Sequence, residues 1–281
     1  MNKLIRFFLF PVICIILGSC NKTINVALVT GHTDRFHSCE VMSPYLEKTL
    51  TENPNFEITL IDVTLTENEE IKFDSYDVIV LNINEIEWSN VQKQNFESYM
   101  VNGGGLVVVH EADNAFPEWA AYNEMIGLGG WGGRSTIEYG PFFYYLDGDY
   151  VTDSLSLGDG GKHGNRVAFE INVRDSIHPI MKGLPTSWTH YDDELYGNLR
   201  GPAKNIHPLA TGFSDSKTGG TGKEELVLFT VNYGKGRVFH TVLGHSGKGH
   251  EKALKNRGFE VTLLRGTEWA ATGDVLFECK F

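Results

Sequence analysis

The segment most suited to catalysis or ligand binding is a predicted strand that is followed by three ionisable residues. Residues 103–105 are glycines, residues 106–109 are apolar and mostly β-branched, and His110, Glu111 and Asp113 follow directly. A short apolar run of this kind is typical of a strand buried on both faces of a parallel sheet. Because open α/β sheets bind ligands at the carboxyl ends of their strands, we expect these three side chains at the ligand-binding edge.

Histidines occupy comparable positions near two other predicted strands. His32 and His37 follow the first strand, whereas His240 and His245 lie in the last principal strand, predicted over residues 237–246, or at its end. If the strands are parallel, their carboxyl ends meet at one edge, and these imidazoles approach His110. For His240, inside an apolar segment, a hydrogen-bonded core histidine is an equally good interpretation.

Acidic and aromatic residues mark two further segments. Asp193 and Glu194 belong to a run of three acids between aromatic residues, and such a run is costly to bury. Residues 127–164 contain eleven glycines interspersed with aromatic residues, including Trp131. We interpret them as an insertion of loops and short strands over the crevice, although packing against the sheet edge is the alternative. Aromatic faces suit the apolar faces of sugars, so Trp131 and Tyr196 are candidate substrate contacts.

Histidines and carboxylates together suit two kinds of chemistry. In acid–base catalysis on a polyol or keto-sugar, a histidine removes a proton α to the carbonyl and a carboxylic acid protonates the leaving oxygen. In the other, histidines and a carboxylate hold a divalent metal ion that polarises a sugar carbonyl. No sequence motif selects a metal, so both remain open. The catalytic candidates are His110, Glu111, Asp193, Glu194 and His245; the substrate-binding candidates are His32, His37, Asp113, Trp131, Tyr196 and His240.

The elements that must position these residues alternate in type. Strands are predicted over residues 24–30, 56–63, 76–82 and 106–109, and helices over about 38–50 and 89–102. This alternation indicates a parallel, doubly wound α/β sheet. Further strands follow, and a helix over about 257–271 closes the domain. Pro117 is expected to open another helix that runs to about Ile126.

Composition narrows the class of partner. The 281 residues are 41% hydrophobic and 21% charged, as in a globular protein, and the formal net charge is −12. An acidic chain is a poor match for nucleic acid or an anionic membrane surface, so we expect no nucleic-acid partner. Cys39 and Cys279 are far apart, and a disulfide between them stays open.

The amino terminus is typical of an export signal. Lys3 and Arg6 precede an apolar run over residues 7–17, which is too short to span a bilayer. Leu-Gly-Ser-Cys follows and resembles a bacterial lipobox, so Cys20 is the expected lipidation site; an ordinary signal peptide is the alternative. Residues 1–20 are then the lipoprotein signal peptide. We expect the mature protein in the bacterial cell envelope, lipid-anchored on a periplasmic or outer face.

Five segments in order resemble the ThuA-like, or trehalose-utilisation, family: residues 103–110, 178–185, 193–196, 234–245 and 265–270. The resemblance covers residues 24–281 and implies one domain over residues 21–281. It implies a flavodoxin-like parallel sheet, as in class I glutamine amidotransferases. It also implies a role in sugar catabolism, particularly of 3-keto-glycosides formed from disaccharides, and therefore a small carbohydrate as partner.

The activity of glutamine amidotransferases does not follow from this resemblance. Those enzymes need a cysteine directly after the central strand, because a thiolate attacks the amide carbon. Here residues 109–112 read Val-His-Glu-Ala, without cysteine or serine. We therefore expect a sugar-processing lipoprotein of the hydrolase, lyase or isomerase type, and not a glutaminase. A non-catalytic carbohydrate-binding or scaffold lipoprotein is the alternative, and the oligomeric state stays undetermined.

Overall fold

A computed structural model describes residues 23–31, 36–65, 70–84, 86–135 and 137–281. The predicted export signal with Cys20, and the predicted substrate-binding residue His32, lie outside the described residues. In the described part of the chain, no helix combines the length and the apolar character that a membrane span requires. No disulfide joins Cys39 and Cys279.

The described chain forms one large sheet with α-helices packed against it. The strands are β1 (Ile24–Thr30), β2 (Phe56–Asp62), β3 (Val78–Asn82), β4 (Gly105–Val109), β5 (Phe142–Leu146), β6 (Asp149–Asp153), β7 (Val167–Val173), β8 (Ser187–Asp193), β9 (Ile206–Phe213), β10 (Glu224–Tyr233) and β11 (Gly236–Thr241). The α-helices are α1 (Cys39–Leu50), α2 (Asn90–Val101), α3 (Ala120–Ile126) and α4 (Arg257–Thr272).

The sheet is parallel in one half and antiparallel in the other. Its order is β2-β1-β3-β4-β11-β10-β9-β7-β8, and β5 joins β10 and β6 beside this path. Strands β2, β1, β3, β4 and β11 run parallel, in the order that flavodoxin-like folds use for their first strands. The pairings among the remaining strands, and of β10 with β11, are antiparallel.

The expectation of a doubly wound parallel sheet is therefore correct for the first half only, and wrong for the rest. Parallel neighbours need a crossover of a dozen or more residues, usually a helix. The chain supplies such crossovers up to β4. From β5 to β11 the described connections contain no α-helix, and every pairing among these strands is antiparallel. The chain is thus a mixed α/β protein built on one large central sheet.

Local sequence signals mark both ends of α2 but not the start of α3. Ser89 caps α2, because its hydroxyl accepts a hydrogen bond from the Gln92 amide at 3.1 Å. Gly103 follows this helix with φ of 115°, a conformation that favours glycine. Helix α3 begins only at Ala120, and Pro117 lies outside it, which corrects the predicted start.

The glycine-rich residues 127–164 do contain loops and two short strands. The β5–β6 hairpin is anchored to the start of β10. Cations lie over three of its rings: Arg200 over Phe142 at 3.6 Å, Lys223 over Tyr144 at 4.3 Å, and Arg174 over Tyr145 at 4.0 Å. These rings are therefore engaged in packing within the fold.

Helix α4 packs directly against the central strands, and glycine allows the close approach. An added Cβ at Gly266 would overlap the ring of Phe239 in β11. An added Cβ at Gly105 would lie 2.7 Å from the backbone carbonyl of Ala270. Neither position therefore has room for a larger side chain.

We expect Gly266→Ala to lower the free energy of unfolding by about 1–3 kcal/mol, measured by chemical denaturation. The direction is informative, because alanine in a helix interior is otherwise about 1 kcal/mol more favourable than glycine. Combining Gly266→Ala with Phe239→Leu should cost less than the sum of the two single changes, since both act at one contact. Strict additivity would contradict the steric explanation.

Candidate functional site

His110 begins the turn that ends β4. All five residues of β4 are buried, and His110 itself has φ of 44°, a left-handed conformation that is strained for a residue with a side chain. Its imidazole is fully buried, and Nδ1 lies 2.7 Å from the carbonyl oxygen of Val242. A carbonyl only accepts, so Nδ1 carries the hydrogen and Nε2 of the neutral ring offers a lone pair.

His37, between β1 and α1, approaches the same point. Its Nδ1 lies 3.1 Å from Oε2 of Glu111, which is fully buried. Its Nε2 lies 3.1 Å from the hydroxyl of Tyr196. The ring of Tyr196 stacks on that of His110 with centroids 4.0 Å apart. Glu111 and Tyr196 therefore fix the orientation of the His37 ring.

His245, in the loop after β11, completes a group of three imidazoles. Its Nδ1 lies 3.4 Å from Nε2 of His110 and 3.2 Å from Oε2 of Glu194. The same Glu194 oxygen lies 3.5 Å from Nδ1 of His163. One ring nitrogen from each of His37, His110 and His245 falls within 4.8 Å of the others. We call these three residues the histidine cluster.

Burial sets the charge of this group. It lowers the pKa of His110 well below 6.5, and the neighbouring imidazoles of His37 and His245 act in the same direction. Burial also lowers the pKa of His245 to about 4. Both rings are therefore neutral near pH 7. Burial raises the pKa of Glu194 above its ordinary value, which makes this carboxylate a better proton acceptor.

Asp193, the last residue of β8, holds the backbone around the cluster. Its Oδ2 accepts from the Gly244 amide at 2.8 Å, and its Oδ1 accepts from the amides of His245 at 3.0 Å and Glu194 at 2.8 Å. Oδ2 also lies 2.7 Å from Nε2 of the buried His190. Both carboxylate oxygens thus tie two loops that carry site residues.

Aromatic rings extend from the cluster toward solvent. Trp131 contacts Tyr196 with centroids 4.4 Å apart, and His163 lies 6.0 Å from each of these rings. Trp131 is partly exposed, whereas Tyr196 is buried. Of the two predicted aromatic contacts, Tyr196 therefore lies against the cluster and Trp131 one ring further out.

Asp113 and His240 lie in a separate buried pair. Oδ2 of Asp113 is 3.7 Å from Nε2 of His240, and Nδ1 of His240 lies 3.0 Å from the carbonyl oxygen of Ile126. The buried Arg134 donates to the carbonyl oxygens of Asn114 and Ala115 beside them. Neither Asp113 nor His240 lines the pocket described next.

A pocket of about 650 Å³ opens onto one side of the cluster. The site residues His37, Glu194 and His245 line it together with other residues. The full lining is Phe36, His37, Ser38, Cys39, Glu40, Arg166, Glu194, His245, Gly247, Lys248 and His250. Sequence reasoning missed His163 and Arg166. Their only signal was a histidine and an arginine within a glycine-rich stretch, which identifies no site until the fold is known.

The comparisons with known proteins agree with this architecture. The family model described as trehalose utilisation, ThuA, matches residues 25–270. A ThuA-like protein from Parabacteroides merdae has a similar solved structure, with 41% identity and a TM-score of 0.85 over 92% of this chain and 93% of that one. A search of curated proteins finds no match.

More distant structures share the fold alone. A ThuA-like protein from Bacteroides uniformis is 17% identical, with a TM-score of 0.60 over 90% of this chain and 95% of that one. A Salmonella typhimurium LT2 protein, STM1381, described as cytoplasmic, is 13% identical, with a TM-score of 0.55 over 88% and 99% of the two chains. With the family model matched over most of its length and a 41% identical relative, this chain belongs to the ThuA family.

Proposed function

We propose that this protein is an enzyme of sugar catabolism that acts on a 3-keto-glycoside derived from a disaccharide. The observation that carries the proposal is the convergence of His37, His110, His245 and Glu194 beside one open pocket. Family membership supports the substrate class, because the matching family model is described by trehalose utilisation.

The reaction that suits this site best is β-elimination. In a 3-keto-glycoside the proton on C2 is acidic, because it lies α to the C3 carbonyl. Glu194 accepts that proton, the C–H electron pair forms the C1–C2 double bond, and the C1–O glycosidic bond breaks with its electrons passing to oxygen. The protonated Glu194 then returns the proton to the leaving oxygen, so the free sugar departs and the carboxylate is restored.

Several residues would position the substrate. Arg166 lines the pocket, and its guanidinium supplies hydrogen-bond donors for sugar hydroxyls. Trp131, at the solvent side of Tyr196, offers a ring face against which a sugar can pack. We assign Asp193 a positioning role, because its carboxylate holds backbone amides on both sides of the site.

A non-catalytic carbohydrate-binding protein is the second candidate, and the partly exposed Trp131 favours it. Binding alone needs an aromatic platform and hydrogen-bond donors. It does not need neutral imidazoles packed around a carboxylate. The two candidates make different predictions for substrate turnover.

The test is to incubate the purified protein with 3-keto-trehalose or another 3-keto-disaccharide and to follow products by NMR, with the parent disaccharide as control. We expect release of the free sugar and an unsaturated keto-sugar or its hydrate from the oxidised substrate only. Binding without any product would support the carbohydrate-binding protein. If the protein showed no binding and no turnover, both candidate functions would be wrong.

A further inference from the structure

The arrangement of the histidine cluster fits a metal centre better than a hydrogen-bonded group of imidazoles. The three rings are buried and each turns one nitrogen toward the others, all within 4.8 Å. The Nε2 of His110 and Nδ1 of His245 are 3.4 Å apart, beyond the usual range for an N–H hydrogen bond. Two nitrogens that each lie about 2.0–2.1 Å from a tetrahedral zinc ion are separated by about 3.4 Å.

The groups behind the imidazoles strengthen this interpretation. Histidines that bind metals donate their other N–H to a carboxylate or a backbone carbonyl, which fixes the tautomer and aims the lone pair. Here Nδ1 of His37 faces the buried carboxylate of Glu111 at 3.1 Å. Nδ1 of His110 faces the carbonyl oxygen of Val242 at 2.7 Å. Two of the three rings therefore have the partner that such ligands need.

We propose that His37, His110 and His245 bind one divalent transition-metal ion of the zinc type. Three imidazoles suit zinc, iron, nickel or copper and are poor ligands for magnesium or calcium. Three protein ligands leave a position open for water or a substrate oxygen, as in catalytic zinc sites. Glu194, 3.2 Å from the ligand nitrogen of His245, lies beside that position.

The role of the ion in catalysis rests on the proposed function, since an ion here would polarise the sugar carbonyl and make the neighbouring C–H more acidic. Metal binding itself is independent of any substrate. The two ideas can therefore fail separately. Protein that binds zinc but shows no turnover would contradict the proposed function only, whereas protein that shows turnover but takes up neither Zn²⁺ nor Co²⁺ would contradict the metal centre only.

The experiment measures metal content by elemental analysis of the purified protein, before and after chelation, and again after addition of Zn²⁺, Co²⁺ or Mg²⁺. We expect about one Zn²⁺ or Co²⁺ per chain and no retained Mg²⁺. The Co²⁺ form should show visible absorption from tetrahedral coordination. His245→Ala should remove nearly all bound metal, and Glu111→Gln should weaken binding by about 10- to 100-fold.

The matched control is His207→Ala, because His207 is exposed and pairs with Asp175 away from the cluster. It should keep the full metal content. Circular dichroism and thermal unfolding show whether each variant is folded. If the variants are unfolded, metal uptake by the wild-type protein alone tests the proposal. Wild-type protein that takes up neither Zn²⁺ nor Co²⁺, or a folded His245→Ala that binds them normally, would overturn the proposal.

Discussion

Glu194→Gln is expected to reduce kcat on a 3-keto-disaccharide by about 10²- to 10⁴-fold, the range for losing a general acid–base group. Glutamine keeps the size of the side chain but cannot take the proton from C2. The Glu194 carboxylate is about 16% exposed and lies between His245 and His163. Loss of its charge should therefore leave the fold intact. Steady-state kinetics with NMR detection measures the effect.

Glu170→Gln is the matched control, since Glu170 lies on β7 with an exposed side chain. The same chemical change there should leave kcat and KM unchanged. If Glu194→Gln retained wild-type kcat, the carboxylate would not be the proton-transferring group. The elimination mechanism proposed for this site would then be wrong.

Asp193→Asn is expected to lower the free energy of unfolding by about 1–3 kcal/mol, because it weakens a buried hydrogen bond to His190 and turns amide hydrogens toward backbone donors. The buried carboxylate accepts from the amides of Gly244, His245 and Glu194. Chemical denaturation measures the loss of stability. Where the variant is still folded, kcat should fall because Glu194 and His245 lose their positions, and KM should change as well because both residues line the pocket.

The neighbouring Asp192→Asn is the control. Its carboxylate is 38% exposed and lies 3.9 Å from the ammonium of Lys252, so the pair contributes about 1 kcal/mol or less. Asparagine also tolerates the φ of 60° at this position. A folded Asp193→Asn protein with wild-type kcat would show that Asp193 does not position the site.

The local parts of the architecture could be predicted from the sequence. The apolar run that forms β4 and the polar turn after it were identified because burial of a central strand requires continuous apolar residues. His110, Glu194 and His245 lie together at this edge of the sheet in the structure. His110 and His245 lie at the ends of predicted strands, so a common sheet edge predicts their approach, whereas no predicted strand preceded Glu194.

Other features depended on contacts between distant segments. The antiparallel half of the sheet follows from which strands become neighbours, and the alternation in the first 110 residues carries no information about it. Asp113 and Glu111 are two residues apart in one turn, yet Asp113 faces His240 and Glu111 faces His37. The direction of a side chain in a short turn is set by the elements packed around it.

The sequence by itself determined the family, the parallel strands up to β4, and the residue types that meet at their carboxyl edge, because these depend on local patterns and motif order. Only the tertiary structure decided which of the predicted histidines form the cluster, that Asp193 accepts from backbone amides, and that His163 and Arg166 lie at the site. The physical reason is that hydrogen-bond partners and ring orientations are fixed by packing between segments that are distant in the sequence.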